Sequence, residues 1–377
     1  MTPIQSIEIR KISLPYVSRF ETSFGVETIK QALIVTIKKD GLIAYGECAA
    51  MAGPWYNEET IASAQYILNQ YLIPQLFGNK FDSPADFLKA TDGIRGNNMA
   101  VATVEMALWD LMGKVTGKSL SQLLGGTKSK VQVGVSVGIQ PSIDDLVKTV
   151  TSYVQDGYKR IKLKIKPGYE VEPVRAIRET YPDIMLQVDA NSAFSLEDFH
   201  TFKQLDDFKL LLIEQPLAHD DILDHAKLQK QLSTPICLDE SIHTPQDARK
   251  AIEIDACRVI NIKPGRVRGL QRSKEIHDLC LERKIPVWCG GMLETGIGRA
   301  FNVALASLPG FVLPSDISAS RRYFKRDIIT KEFELTTDGT LEVPKEPGIG
   351  VEVDKQLLEA CTISREQFTA NQFPANQ

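Results

Sequence analysis

The sequence predicts an α/β protein, a TIM-like barrel of parallel strands that follows an N-terminal α+β domain. The first observation is a regular interval: Lys164, Asp189, Glu214 and Asp239 lie 25 residues apart, and Lys263 follows 24 residues later. Each charged residue closes an apolar run, and a stretch that can be helical comes next. One strand, one helix and two short loops fill such an interval. Because parallel barrel strands end at one rim, we expect these charges to meet there.

The second observation is a predicted strand with lysines on one face. Residues 160–166 alternate basic with apolar side chains and stop at Pro167-Gly168. Side chains alternate across a strand, so Lys162 and Lys164 share a face. Strands in β/α units are covered on both faces, and a buried ammonium group needs an anionic partner. The acids that end the next three strands are the expected partners.

The N-terminal region has strands first and helices afterwards. Residues 4–17 alternate as a strand does, and residues 31–49 predict a hairpin with an Asp-Gly turn. Helical periodicity follows over residues 58–75 and 98–115. This order is typical of an α+β domain, which we place at residues 1–126.

Strands and helices alternate in the rest of the chain. The first predicted barrel strand covers residues 131–139, and the last is a short strand at 311–313. Eight strands and about seven helices suffice to close a barrel, which we place at residues 127–318. The remaining segment, 319–377, is expected to pack back on the first domain through a hairpin at 333–343.

Composition excludes several classes of partner. The chain has 377 residues, of which 43% are hydrophobic, and a net charge of −4 without a basic tract, so neither nucleic acid nor an anionic membrane is an expected partner. The start has no leader-like pattern, and no apolar run is long enough to cross a membrane. The six cysteines form no CxxC pair, which is typical of reduced thiols. A cytoplasmic protein is therefore expected.

The charges at the predicted rim point to metal-assisted proton transfer. Three neighbouring carboxylates, Asp189, Glu214 and Asp239, need a counter-charge, and oxygen ligands suit Mg²⁺, Mn²⁺ or another divalent metal. Lysines on both sides of such a metal suit removal of the proton next to a carboxylate. We expect Lys164 to be the base. Its neighbour Lys162 would assist it electrostatically.

The same segments carry a family resemblance. The chain resembles the enolase superfamily, its muconate-lactonizing-enzyme subgroup and, within it, the o-succinylbenzoate synthase / N-acylamino acid racemase family. The matching stretches are Gly134–Ile139, Lys162–Lys164, Leu186–Asn191, Leu212–Pro216, Pro235–Ile242, Asn261–Gly265 and Pro286–Gly296. The resemblance implies a (β/α)7β barrel capped by an α+β domain whose loops close the pocket.

Two activities follow from this resemblance. One is syn-dehydration of 2-succinyl-6-hydroxy-2,4-cyclohexadiene-1-carboxylate to 2-succinylbenzoate, in menaquinone biosynthesis. The other is racemisation of N-acylamino acids, which needs Lys164 and Lys263 on opposite faces of the α-carbon. We favour the synthase and keep the racemase as the close alternative. The substrate would be a small carboxylate, and a homo-oligomer is expected.

Substrate contacts are expected from both domains. Ser136, Asn191, Gly291 and Met292 follow barrel strands at the predicted rim, although Asn191 and Glu240 could equally be structural. Phe20, Phe24 and Met51 lie in first-domain segments included in the resemblance.

Two less specific interpretations of the whole chain remain open. The barrel could be a binding or scaffold protein without chemistry. The loop Gly290-Gly291 could bind a phosphate, as late barrel loops often do, which would indicate a phosphosugar enzyme. The five histidines, at 200, 219, 225, 243 and 277, are expected at the surface, and Glu47 is expected to be structural.

Overall fold

The computed structural model describes residues 4–373. Residues 1–3, part of the stretch in which no leader was found, lie outside the described residues. Within 4–373, no helix combines the length and apolar character that crossing a membrane requires.

The strands are short in the barrel and long in the N-terminal sheet. They are β1 (Ser6–Thr22), β2 (Gly25–Lys39), β3 (Leu42–Cys48), β4 (Lys130–Gln132), β5 (Val135–Val137), β6 (Arg160–Lys164), β7 (Met185–Asp189), β8 (Ile213–Glu214), β9 (Ile236–Leu238), β10 (Val259–Ile262), β11 (Val287–Cys289), β12 (Thr340–Glu342) and β13 (Thr362–Thr369).

The α-helices are α1 (Ile61–Ile67), α2 (Ile73–Gly78), α3 (Pro84–Ala90), α4 (Asn98–Thr116), α5 (Leu120–Leu124), α6 (Ile143–Asp156), α7 (Val171–Thr180), α8 (Phe199–Asp206), α9 (Leu223–Gln229), α10 (Pro245–Glu253), α11 (Leu270–Glu282), α12 (Gly296–Ala306) and α13 (Lys355–Ala360). A π-helical segment, Leu68–Leu72, joins α1 to α2.

An antiparallel sheet of order β13-β1-β2-β3 forms the capping domain. The predicted hairpin is present, with Asp40 and Gly41 at positive φ in its turn. Helix α4 is buried along most of its length between this sheet and the barrel. Its Glu105 accepts hydrogen bonds from the backbone N–H groups of Leu270 and Gln271, both at 2.9 Å. This buried carboxylate caps α11 and so joins the two parts of the molecule.

Seven parallel strands, β5 to β11 in sequential order, form the barrel. Residues 311–316 occupy the eighth position with little regular pairing: Phe311 bridges Val287, and Ser315 bridges Val133. Apolar side chains from every strand fill one continuous core. The predicted α/β fold, a (β/α)7β barrel with a capping domain, is confirmed.

The C-terminal segment differs from the prediction in one part. Residues 333–335 form no strand, and β12 pairs with β4, the short strand before β5, instead of closing a hairpin. The N–H of Val133, the residue after β4, donates to the Gly339 carbonyl in the turn before β12. Strand β13 does pack back on the first domain, against β1. The domain boundaries at 126 and 318 stay a prediction.

Two of the five histidines are buried, so the surface prediction was wrong for them. His225 Nε2 accepts from the Leu217 N–H at 3.2 Å, while its Nδ1 lies 2.8 Å from Asp221. His277 Nε2 accepts from the Gly310 N–H at 2.9 Å, and its ring stacks on Phe311. Because both rings have satisfied nitrogens, burial costs them little.

Candidate active site

The lysine strand faces the inside of the barrel. Arg160, Lys162 and Lys164 of β6 are buried, and they lie on one face as the alternation predicts. Trp288 of β11 fills the barrel beneath them, with its ring centroid 4.8 Å from Lys162 Nζ. Gly134 leaves room for Arg160, since a Cβ at this glycine would lie 2.4 Å from the guanidinium.

Lys162 is surrounded by carboxylates. Its Nζ lies 2.8 Å from Glu214 Oε2, 3.0 Å from Asp189 Oδ2 and 2.6 Å from Asp316 Oδ2. Lys164 Nζ has fewer anionic neighbours: it donates to Asp189 Oδ2 at 2.7 Å and to the amide oxygen of Asn191 at 2.6 Å. The two lysines of one strand therefore sit in different electrostatic surroundings.

The opposite side of the site is built around Asp239. Lys263 Nζ lies 2.7 Å from Asp239 Oδ2, and the Arg266 guanidinium contacts the other oxygen. Tyr56, from the capping domain, donates to Asp239 Oδ1 at 3.1 Å and accepts from Lys263 at 3.2 Å. A loop of the capping domain thus completes the barrel site.

The surroundings shift the pKa values of the lysines in opposite directions. Burial lowers the pKa of Lys164, and the nearby Lys162 charge adds to this, although Asp189 opposes it. Burial also disfavours the charged form of Lys162, but Asp189, Asp316 and Glu214 outweigh it and raise the pKa of Lys162. The pKa of Lys263 is raised too: burial is outweighed by Tyr56, Glu240 and the rim carboxylates. Of the three lysines, Lys164 therefore loses its proton most readily.

The three predicted metal ligands are adjacent on the rim. Asp189 and Glu214 are paired in register on β7 and β8, and Asp239 follows β9. All three are buried, and each contacts a lysine or arginine. Across residues 4–373, no group of three or more His, Cys, Asp or Glu side chains is gathered to hold a metal ion. Their role as metal ligands stays a prediction.

One cavity between the two domains contains the predicted substrate residues. Its wall includes Lys162, Lys164 and Lys263, and also all seven predicted contacts: Phe20, Phe24, Met51, Ser136, Asn191, Gly291 and Met292. The structure brings these residues together. Their substrate contacts stay a prediction.

The packing of Asn261 and Lys263 explains why a glycine stands at position 290 in the Gly290-Gly291 loop. A Cβ at Gly290 would lie 2.3 Å from Asn261 Oδ1 and 2.7 Å from Lys263 Cε, so glycine allows Lys263 to reach the cavity. The Gly290 N–H donates to the Ile262 carbonyl, and the Met292 N–H donates to Glu294. The Gly290 and Met292 amides therefore already donate within the protein, which weakens the phosphate-binding interpretation of this loop.

Several residues of the site were not predicted, because they lie outside the 25-residue spacing of the charged strand ends. Asp316 contacts Lys162, accepts from Ser136 Oγ at 2.8 Å and pairs with Arg160. Asp316 lies in the irregular eighth position of the barrel, and Tyr56 and Arg266 lie in loops. The one signal in the sequence was the number of basic residues predicted at the rim, which need a further acid to balance their charge. Glu47 is structural, as expected: it accepts from the Thr295 and Gly298 N–H groups at the start of α12.

Comparisons with known proteins agree with this geometry. Residues 7–125 match the family "Mandelate racemase / muconate lactonizing enzyme, N-terminal domain", and residues 145–357 match "Enolase C-terminal domain-like". An o-succinylbenzoate synthase of Geobacillus kaustophilus is 49% identical over 95% of this chain and 96% of its own. An N-succinylamino acid racemase of Thermus thermophilus is 46% identical over 98% of this chain and 100% of its own. The crystal structure of an enolase-superfamily member from Listeria innocua superposes with a TM-score of 0.94 at 43% identity, covering 98% of this chain and 100% of that one. The chain therefore belongs to the enolase superfamily and is an enzyme of that superfamily.

Proposed function

We propose that this enzyme removes the proton α to a carboxylate, and that its main reaction is the dehydration of 2-succinyl-6-hydroxy-2,4-cyclohexadiene-1-carboxylate to 2-succinylbenzoate. One observation carries the proposal: Lys164, whose pKa is lowered, and Lys263, whose pKa is raised, line the same cavity beside three buried acids. The synthase relatives at up to 49% identity support the choice of reaction.

Lys164 would carry the proton in both halves of the reaction. Its neutral Nζ takes the α-proton, and the resulting ammonium returns a proton to the departing hydroxyl group on the same face, so that water leaves. Asp189 and Asn191 orient this Nζ through hydrogen bonds of 2.7 and 2.6 Å. Lys162 stays charged among its three carboxylates, and Lys263 places a second cation beside the substrate.

By its chemistry the donor set suits a divalent metal, although the three carboxylates do not converge on one point in the described structure. Asp189, Glu214 and Asp239 would hold it, all carboxylates from consecutive strands, which suits Mg²⁺ or Mn²⁺. Burial and the neighbouring Asp189 raise the pKa of Glu214 to about 7, and an added cation would relieve that repulsion. When bound, the metal would stabilise the negative charge that develops on the substrate carboxylate as the α-proton leaves.

Racemisation of N-succinylamino acids is the second candidate. The observation that favours it is Lys263, a cationic acid in the same cavity as the base Lys164. The Thermus thermophilus relative is named for this activity. One lysine would remove the α-proton and the other would return a proton to the opposite face.

The test measures both reactions on one preparation with Mg²⁺. We expect 2-succinylbenzoate to form from the cyclohexadiene carboxylate, and the absorbance change measures its formation. N-succinylphenylalanine in D₂O tests the second reaction by polarimetry and by loss of the α-proton signal. Lys263→Ala should then exchange the α-proton of one enantiomer without inversion. If neither substrate reacts or exchanges, the proposal is wrong and a binding or scaffold barrel becomes the better interpretation.

The remaining attributes stay predictions of this proposal. They are a small carboxylate substrate, a homo-oligomeric assembly and a cytoplasmic location.

A further inference from the structure

Lys30 is a buried cation in the cavity wall that the proposed chemistry does not use. It lies on β2 of the capping sheet, is 5% exposed and lines the cavity that also contains Lys164 and Lys263. Its Nζ donates to the Met292 carbonyl at 2.8 Å. Among residues 4–373, no carboxylate lies within the 4.0 Å of this Nζ that an ion pair requires.

Burial raises the pKa values of Glu27 and Glu47 and the Lys30 charge counters that rise, but neither acid forms an ion pair with Lys30. Glu47 already accepts from Thr295 and Gly298 at the start of α12. Glu27 lines the same cavity without an ion pair to Lys30. An ammonium group has three donors, and the carbonyl of Met292 uses one of them. Buried charges are normally paired, so this arrangement leaves room for an anion that arrives with the ligand.

We propose that Lys30 binds a second carboxylate of the substrate, so that the enzyme selects dicarboxylates. The carboxylate next to the reacting carbon would lie by Lys164 and Lys263 on the barrel side, and the distant carboxylate would reach Lys30 on the capping side. This inference rests on the proposed function, since both candidate substrates carry a succinyl arm that ends in a carboxylate. It adds the residue that recognises that arm.

A purely structural role would have a different consequence. The hydrogen bond from Lys30 to Met292 also joins the capping sheet to the loop after β11. If that were its whole role, replacing Lys30 would weaken all ligands to a similar degree, charged or neutral at the distant end. Recognition of a carboxylate weakens only the ligand that carries the charge.

The experiment is calorimetry on the Mg²⁺-loaded enzyme with two matched ligands that undergo no net reaction, because the α-carbon of glycine is not a stereocentre. N-succinylglycine has the distant carboxylate, and N-succinamoylglycine replaces it with a neutral amide of the same shape. We expect the wild type to bind the diacid at least about tenfold more tightly, the usual size of a charged hydrogen bond. Lys30→Met should lose this preference, and Lys30→Arg should keep it. Lys38→Met is the matched control, because Lys38 is an exposed lysine of the same strand.

Each result decides the question. Equal binding of the two ligands to the wild type, or no binding of the diacid, overturns the proposal. A preference that survives in Lys30→Met also overturns it. If Lys30→Met does not fold, Lys30→Gln takes its place, since a glutamine amide can still donate to the Met292 carbonyl but carries no charge, and it too should lose the preference. If the wild type turns over neither candidate substrate but still prefers the diacid ligand to the amide, the proposed function is refuted and the role of Lys30 stands.

Discussion

Lys162 and Lys164 share one acceptor: Asp189 Oδ2 lies 3.0 Å from Lys162 Nζ and 2.7 Å from Lys164 Nζ. The two ammonium groups therefore compete for the same negative charge. Lys162 has Glu214 and Asp316 as further partners, whereas Lys164 has the neutral amide of Asn191. The proton is accordingly lost more easily from Lys164, which makes it the better general base.

Replacing the base should stop proton exchange without unfolding the protein. We expect Lys164→Ala to lower kcat by about 10²- to 10⁴-fold, the usual contribution of a positioned base. Loss of the α-proton in D₂O, measured by NMR, tests this directly. Lys159→Ala, at an exposed lysine just before the same strand, is the control and should exchange at the wild-type rate. Undiminished exchange in Lys164→Ala would rule out its role as base.

The pH dependence should follow the neutral form of Lys164. Burial lowers the pKa of this lysine, so kcat/KM should rise with pH through a midpoint below the ordinary lysine value of about 10.4. The sign is set by the base: its active form is deprotonated, and the deprotonated fraction grows as pH rises. A pH profile of the dehydration measures the midpoint. A rate that falls with rising pH over this range would contradict the assignment.

Metal removal should abolish activity reversibly. Treatment with EDTA is expected to lower kcat by roughly a hundredfold or more, and Mg²⁺ or Mn²⁺ should restore it. A readout without turnover is the melting temperature, because a ligand at 100 times its Kd adds about 2.7 kcal/mol of stability. Asp239→Asn should reduce both effects. Full activity after exhaustive chelation would show that the three acids serve another purpose.

Asp316 should be important for stability as well as for the site. It contacts both Arg160 and Lys162, so Asp316→Asn leaves two buried cations short of a carboxylate. We expect a loss of about 3–5 kcal/mol in the free energy of unfolding, measured with denaturant. Asp338→Asn is the matched control: its carboxylate is 73% exposed and 4.0 Å from Lys130, and its loss should cost about 0.5 kcal/mol or less. Equal effects of the two substitutions would contradict this account.

Gly290→Ala should impair catalysis by displacing Lys263. The new methyl group would meet Asn261 and Lys263 Cε, and a displacement of about 1 Å at a reacting group can cost roughly a hundredfold in rate. Steady-state kinetics should show a fall in kcat. Gly93→Ala, where no heavy atom lies within 4 Å of the added carbon, should be neutral. A fully active Gly290→Ala would mean that Lys263 is not constrained by this contact.

The sequence predicts the barrel and its charged rim because both have a period. Lysines two residues apart on β6 must share a face, and a charge at each strand end must reach the same rim. Asp316, Tyr56 and Arg266 have no comparable pattern, because they lie in segments without regular structure whose course depends on tertiary packing.

The burial of polar side chains is also hard to predict from the sequence, because it depends on tertiary packing. Lys30 stands between Ile29 and Gln31 in a stretch without regular alternation, so the sequence does not mark it as buried, and its contact with the loop after β11 forms only in the folded chain. The buried histidines were missed because a polar ring can be buried wherever backbone groups satisfy its nitrogens. The single strand predicted over residues 131–139 is two short strands in the structure, because β4 pairs with β12 whereas β5 pairs with β6.

The pairing of β13 with β1 has a consequence for biosynthesis. During translation, the outer edge of β1 emerges early, yet the strand that covers it is made after the entire barrel. A nascent chain therefore exposes an open row of backbone donors and acceptors for most of its synthesis, and such an edge favours pairing with other chains. Ribosome-associated chaperones would be most needed in that interval, and premature termination before β13 should yield aggregates even when the barrel is complete.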